Sequence, residues 1–224
     1  MVSKKSSTPE PRKRGRPFKT SVDASVDIRK AALKAFARAG FNGVSILEIA
    51  QMAGVAKPLV HYHYASKDAL WEAAVGDAVA DLRAEVLSIQ QALGSSSTSV
   101  ELLRNLARQL VLFASQHPEL VHIVVDETGK GGPRAEWFRT NLLLPGYAVA
   151  KMLLDGFAGS VASPKTSLLP VEHIVPMVLG IMNFPFMDAE VIRGAYGVDV
   201  YAKVYVERHG ELLFKILSAL LLKT

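Results

Sequence analysis

The sequence predicts an all-α protein, with a small N-terminal group of helices followed by a larger C-terminal helical bundle. Apolar residues recur at the three- and four-residue spacing of amphipathic helices along most of the 224 residues. Two Ser/Thr-x-x-Glu capping boxes, at Ser45 and Thr98, mark where helices begin. We find no alternating strand pattern, and 50% of the residues are hydrophobic, which is enough for a sizeable core.

The first 22 residues form a basic arm that is rich in Ser, Pro, Lys and Arg. Residues 1–20 carry seven cations and one anion, a net charge of +6, whereas the whole chain has +5. The remainder is therefore nearly neutral, at −1. A basic arm on a near-neutral body indicates a polyanionic partner, either nucleic acid or an anionic membrane surface.

Glycines, prolines and capping residues divide the rest of the chain into helices. The predicted N-terminal spans are 23–40, Ser45 to Gly54, Lys57 to about His63, and a helix capped by Ser66 that continues to about Leu93. After a linker at 94–97, the predicted spans are Thr98 to about Gln116, Pro118 to about Thr128, Pro133 to about Gly159, Pro170 to about 187, and a final helix capped by Asp199. Pro176 and Pro185 are expected to kink or end the helix that begins at Pro170.

The segment from Ser45 to Leu70 carries the functional signal. Two short helices meet at a tight turn containing Gly54, and the second helix has mostly polar or amphipathic side chains. A short helix that displays hydrogen-bond donors beside a buried partner helix is the arrangement that reads the major groove of DNA.

This segment resembles the DNA-binding region of the TetR family of transcriptional regulators. The matching positions are Ser45, Ile49, Ala50, Ala53, Gly54, Val55, His63, Ser66, Lys67 and Leu70, and Tyr64 replaces the usual Phe. The resemblance is strong over residues 25–75 and weaker beyond. It implies a helix-turn-helix DNA-binding domain at 23–70 and a ligand-binding and dimerisation domain at 71–224.

The resemblance also implies a set of DNA contacts. These are Ser45, Lys57, Leu59, His61, Tyr62, His63 and Lys67. Ala56 departs from the family's usual Ser or Thr cap, at a cost of about 1 kcal/mol in local stability. His61 stands where a phosphate-contacting Tyr is usual, and His61 and His63 are equally compatible with ordinary packing or solvated positions.

The basic arm contains Lys13-Arg14-Gly15-Arg16-Pro17, which resembles the core of an AT-hook. In such a motif the glycine lets the backbone lie deep in the minor groove, where Arg14 and Arg16 meet a strong negative potential. The alternative is a solvated tail that raises DNA affinity through counterion release. Both interpretations remain open.

The C-terminal half shows no catalytic constellation, so we expect neither an enzyme nor a cofactor. His122 and Asp126 share one helix face, but polar groups at a helix end or pocket wall are favoured over a metal pair. By resemblance, a mostly apolar effector pocket is expected. Its candidates are Phe113, His122, Asp126, Trp137, Phe138, Asn141, Met177 and Phe184, with Met152 and Phe157 as further ones.

The last two predicted helices resemble the pair that forms the family's four-helix dimer interface. Their apolar face includes Leu213, Ile216, Leu217 and Leu220. A two-fold dimer would place two reading helices in major grooves about 34 Å apart on a palindromic operator. The implied mechanism is a repressor that releases DNA when a small molecule favours another conformer, with the long fourth helix coupling the two sites.

Two alternatives remain open at this stage. One is an architectural or surface-binding protein that acts through the basic arm, and the other is a helical enzyme that uses His122, Asp126 and Glu127. The chain has no cysteine, no apolar N-terminal signal and no apolar run of about 18 residues, so we expect a cytoplasmic protein.

Overall fold

The computed structural model describes residues 21–93, 98–160 and 170–221, and within these ranges every regular element is helical. The elements are α1 Ser21–Ala39, α2 Ile46–Ala53, α3 Lys57–His63, α4 Lys67–Leu93, α5 Ser99–Gln116, α6 Pro118–Lys130, α7 Pro133–Phe138, a π-helical turn at Arg139–Leu143, α8 Leu144–Ser160, α9 Val171–Met187, α10 Ala189–Tyr196 and α11 Lys203–Leu221. The predicted all-α class is thus confirmed.

The first hydrophobic core holds α1 to α4 together and extends into the bundle. Helix α1 packs against α2, α4 and α6. The buried side chains from the N-terminal helices include Ile28, Phe36, Ile49, Val60 and Trp71. The same core takes in residues of α5, α6 and α7, namely Phe113, Leu120, Ile123 and Phe138. Apolar packing therefore crosses the predicted domain boundary at residue 70.

The second core lies between α5, α9 and α11. Helix α11 runs alongside α5, and the approach is close at Gly210, where a Cβ atom would lie 3.2 Å from the Cα atom of Arg108. Leu213 and Leu217 are 0% and 4% exposed because they face this core. These two leucines of the predicted apolar face are therefore buried within the chain itself.

Several predicted boundaries need correction. Helix α6 continues to Lys130, so the loop is shorter than expected. The long helix from Pro133 is interrupted by the π-helical turn, whose Asn141 carbonyl oxygen accepts a hydrogen bond from Arg83. Helix α9, in contrast, has the predicted span, because it continues through Pro176 and Pro185 to Met187.

The expected glycine-rich connection before the last helix is itself partly helical, because it contains α10. Gly197, at φ 66°, ends α10 in the left-handed region that glycine adopts readily. Asp199 does not cap the last helix, which begins at Lys203. Its Oδ1 atom instead accepts a 3.0 Å hydrogen bond from the Tyr201 amide within a turn.

The described ranges contain no single helix that meets the length and apolarity needed to cross a membrane, although the stretches Glu172–Met187 and Ala189–Tyr196, bent by 67°, meet those criteria as a pair.

Candidate nucleic-acid interface

A capping box fixes the start of α2. The Ser45 hydroxyl accepts a 3.2 Å hydrogen bond from the Glu48 amide, and the Glu48 carboxylate accepts one of 2.7 Å from the Ser45 amide. This hydrogen bond from the Ser45 backbone lowers the pKa of Glu48. Ser45 is exposed, so the beginning of α2, with its outward partial positive charge, is accessible to a phosphate.

The turn between α2 and α3 depends on Gly54. Gly54 has φ 67° and ψ 33°, a left-handed conformation that costs other residues more, and its amide donates to the Gln51 carbonyl at 3.1 Å. Ala56 then precedes α3 with extended dihedral angles but makes no side-chain capping hydrogen bond. The recognition helix therefore begins with Pro58 in its first turn and no polar cap.

Helix α3 has one buried side and one exposed side. Val60 is 1% exposed and anchors the helix to the first core, and Leu59 is half-buried. Lys57 and His61 are exposed, and Tyr62 is 78% exposed although it is a large aromatic residue. These three side chains form an outward surface of one cation, one imidazole and one phenol, which we call the α3 face.

His63 and Tyr64 lie at the end of α3 and point toward the body of the protein. The Nε2 atom of His63 is buried with no hydrogen-bond partner among the described residues, and the His63 ring packs edge to face against Tyr62 with centroids 5.2 Å apart. The Tyr64 hydroxyl donates to the Ser25 carbonyl at 3.3 Å and accepts from Arg29 at 3.1 Å. The hydrogen bond with Tyr64 is the main cause that raises the pKa of Arg29.

The start of α4 completes the surface around α3. The Ser66 hydroxyl accepts a 3.0 Å hydrogen bond from the Ala69 amide, which confirms Ser66 as the cap of α4. Lys67 follows, and its Nζ atom lies 4.5 Å from the centre of the Phe41 ring. Burial, with the nearby charge of Arg134 as a second cause, lowers the pKa of Lys67. The two remaining predicted contacts, Arg14 and Arg16, lie outside the described residues.

The structure does not bring the predicted effector-pocket residues together in one cavity of the described part. Trp137 and Phe138 instead pack edge to face with Trp71, at centroid distances of 5.4 Å each, and Phe138 is 0% exposed. The Asn141 amide donates to the Trp137 carbonyl within its own helix. Met177 and Phe184 are exposed on α9, at 56% and 61%, and Met152 is exposed on α8. The side chain of Phe157 is not described.

Two surface grooves contain the remaining candidates. His122 and Asp126 border a groove of about 370 Å³ between α6 and the end of α1, where the Asp126 carboxylate pairs with Lys130 at 2.5 Å. Phe113 lines a groove of about 310 Å³ between α4 and α5, and its ring stacks on His117 at 4.2 Å. Among the described residues, no cluster of three metal-ligating side chains occurs.

Comparison with known protein families matches the N-terminal helices. The model of the bacterial regulatory proteins of the tetR family matches residues 28–74, which contain the capping box, the Gly54 turn and the α3 face. Residues 28–74 are thus similar to the DNA-binding region of the tetR family of regulators.

A curated relative is similar to this chain over most of its length. This chain is 26% identical over 188 residues to the HTH-type transcriptional repressor NicS of Pseudomonas putida, and the match covers 79% of this chain and 82% of the relative.

Two solved structures share the fold of this chain. One is a TetR-like transcriptional regulator of a Rhodococcus species, with a TM-score of 0.62 and 18% identity, covering 89% of this chain and 97% of that one. The other is the transcriptional regulator FadR of Bacillus subtilis in complex with stearoyl-CoA, with a TM-score of 0.60 and 15% identity, covering 84% and 97%.

Proposed function

We propose that this chain is a homodimeric transcriptional repressor that binds a palindromic operator and releases it when a small molecule binds the helical bundle. The observation that carries the proposal is the α3 face, where Lys57, His61 and Tyr62 point outward from a helix anchored by Val60. Exposed donors on a rigid short helix suit the major groove, which offers acceptors on every base pair. The curated relative NicS is itself a repressor.

Within this proposal, the seven predicted DNA contacts of the described part have separate roles. Lys57, His61 and Tyr62 face the groove, with half-buried Leu59 beside them, whereas Ser45 and Lys67 contact phosphates from the starts of α2 and α4. His63 has the weakest support because its Nε2 atom is enclosed. We do not expect catalysis, since none of these roles requires a bond to be made or broken.

The dimer is supported by exposed apolar side chains on the last helices. Met177 and Phe184 on α9 are 56% and 61% exposed, and Val204 and Leu212 on α11 are 56% and 51% exposed. A large apolar surface on two neighbouring helices favours association with a second copy. Because Leu213 and Leu217 face inward, the proposed interface uses the exposed side of α11 that carries Val204 and Leu212.

The proposal is tested by selecting bound sequences from a random pool of duplex DNA. We expect the pool to converge on an inverted repeat whose half-sites lie about one helical turn, or 34 Å, apart. Binding in proportion to charge alone, with no sequence enriched, would instead favour an architectural protein that acts through the basic arm. An effector would then be sought among small molecules that release the selected DNA.

A further inference from the structure

One guanidinium group contacts three separate parts of the chain. The Nε atom of Arg134 on α7 lies 3.0 Å from the Glu127 carboxylate of α6, and its Nη1 atom lies 3.3 Å from the Asp68 carboxylate of α4. Its Cζ atom lies 3.8 Å from the centre of the Phe41 ring, in the connection between α1 and α2. Arg134 therefore joins the bundle to the N-terminal helices by two ion pairs and a cation–π contact.

The contact with Glu127 fixes the guanidinium on the bundle. The Glu127 side chain is 4% exposed, and a buried carboxylate requires a charged or hydrogen-bonded partner. Glu127 and Arg134 lie on opposite sides of the turn at Gly131 and Gly132, whose φ angles are 72° and 88°. Arg134 thus belongs to one rigid corner formed by α6 and α7.

The other two contacts lie at the two ends of the helix-turn-helix. Phe41 precedes the α2 cap, Ser45, by four residues, and Asp68 lies in the first turn of α4, five residues after α3 ends at His63. The chain therefore enters α2 and leaves α3 beside the same guanidinium. A movement of the α6–α7 corner would therefore displace both ends of the helix-turn-helix together.

We propose that Arg134 is a positioning residue for DNA reading, because it holds both ends of the helix-turn-helix at one corner of the bundle and so sets the direction of α3. This inference rests on the proposed DNA-binding function. It extends that function by naming the contact through which a shift of α6 and α7 would change the position of the helix-turn-helix.

Three variants separate this role from simple stability. Asp68→Asn weakens the contact with α4, and Phe41→Leu removes the ring but keeps an apolar side chain, while both leave the Arg134–Glu127 pair in place. Arg134→Gln combined with Glu127→Gln removes the guanidinium without leaving a buried carboxylate alone. The matched control is Arg139→Gln, because Arg139 lies five residues along and pairs with Glu136 on the exposed surface.

The first readout does not need DNA. The chain has no cysteine, so spin labels can be attached to His61→Cys on α3 and Val125→Cys on α6, both exposed positions. Labelled chains are diluted with unlabelled ones, so that only distances within one chain are measured. We expect the distance distribution to broaden in the Asp68→Asn, Phe41→Leu double variant and to match the parent in the Arg139→Gln control.

The second readout is operator affinity across a series of half-site spacings. The Asp68→Asn, Phe41→Leu double variant should bind the selected operator about ten-fold more weakly, a typical size for coupling between sites. It should also discriminate less between operators of different half-site spacing. The operator affinity of Arg134→Lys should lie between those of the parent and the double variant, because an ammonium group lacks the planar fork of a guanidinium. Unchanged label distances would overturn the positioning role whether or not DNA binds. A parent chain that selects no DNA, with broadened distances in the variants, would overturn only the DNA-binding function.

Discussion

The indole rings of Trp71 and Trp137 meet edge to face, with centroids 5.4 Å apart and planes at 80°. Trp71 lies on α4, one turn after the helix-turn-helix, and Trp137 lies on α7 of the bundle. They are the two tryptophans of the chain, and Phe138 packs against both. The N-terminal helices and the bundle are therefore joined by a packed aromatic cluster.

This cluster predicts that the two halves unfold together. Apolar packing that includes Trp71, Leu120, Ile123 and Phe138 crosses the boundary near residue 70, so loss of one half exposes the core of the other. Tryptophan fluorescence reports on the shared cluster, and far-ultraviolet circular dichroism reports on all helices. We expect their urea transitions to coincide. Two separated transitions would show instead that the halves are energetically independent.

A second prediction concerns the missing cap of the recognition helix. Ala56 already has the extended dihedral angles of a capping residue, φ −76° and ψ 141°, but makes no side-chain hydrogen bond. Ala56→Ser should stabilise the protein by about 0.5 kcal/mol, because Pro58 has no amide hydrogen and the new hydroxyl shares the Leu59 amide, which already donates to the Ala56 carbonyl at 2.9 Å. Equilibrium unfolding measures this gain. Ala56→Val, which cannot cap, is the control, and equal stability of the two variants would contradict the explanation.

The capping boxes predict a loss of stability in acid. Hydrogen bonds from the Ser45 and Thr98 backbones lower the pKa values of Glu48 and Glu101 below the ordinary 4.5. The unfolded chain therefore binds protons first, so the stabilisation is present above pH 4.5 and is lost as the pH falls through the lower folded-state values.

The pH dependence is measured as the thermal unfolding midpoint between neutral and acidic pH. The double variant Glu48→Gln, Glu101→Gln should lose less stability on acidification than the parent. The control is Glu207→Gln, since the Glu207 carboxylate lies on the exposed surface, 3.8 Å from Lys203, and belongs to neither box. If Glu207→Gln reduced the loss of stability on acidification as much as the double variant does, the capping boxes would not be the cause.

The basic arm predicts a strong dependence of DNA affinity on salt. Residues 1–20 carry a net charge of +6, and each phosphate contact made by a cation releases counterions. Removal of these residues should lower affinity and make the slope of log K against log salt concentration shallower. An unchanged slope would show that the arm does not touch DNA. Arg14→Ala with Arg16→Ala, compared with Lys4→Ala with Lys5→Ala, distinguishes a minor-groove contact from charge alone.

Local signals in the sequence were sufficient for the helix-turn-helix. The box at Ser45, the turn at Gly54 and the cap at Ser66 each act within four residues, and the structure contains all three. Helix α10 was missed because it is short and its Gly194 resembles a helix breaker. Burial of Leu213 was missed because the apolar pattern of α11 does not distinguish packing against α5 from packing against a second copy.

Long-range contacts left no signal in the sequence. Asp68 and Arg134 are 66 residues apart, and no residue spacing connects them. Trp137 and Phe138 were assigned to an effector pocket because aromatic side chains suit both a pocket and a core, and only the fold places them against Trp71. The effector-pocket and DNA-contact residues as a whole therefore remain predictions.

The α3 face as the DNA-reading surface is tested most directly by one pair of variants. Tyr62 on α3 and Tyr196 on α10 are both 78% exposed, so Tyr→Ala at either position should change stability by less than about 0.5 kcal/mol. Affinity for the selected operator is measured by fluorescence anisotropy. We expect Tyr62→Ala to weaken binding about ten-fold or more, as loss of a good groove contact does, and Tyr196→Ala to leave it unchanged. Equal affinities of both variants and the parent would contradict DNA reading by the α3 face.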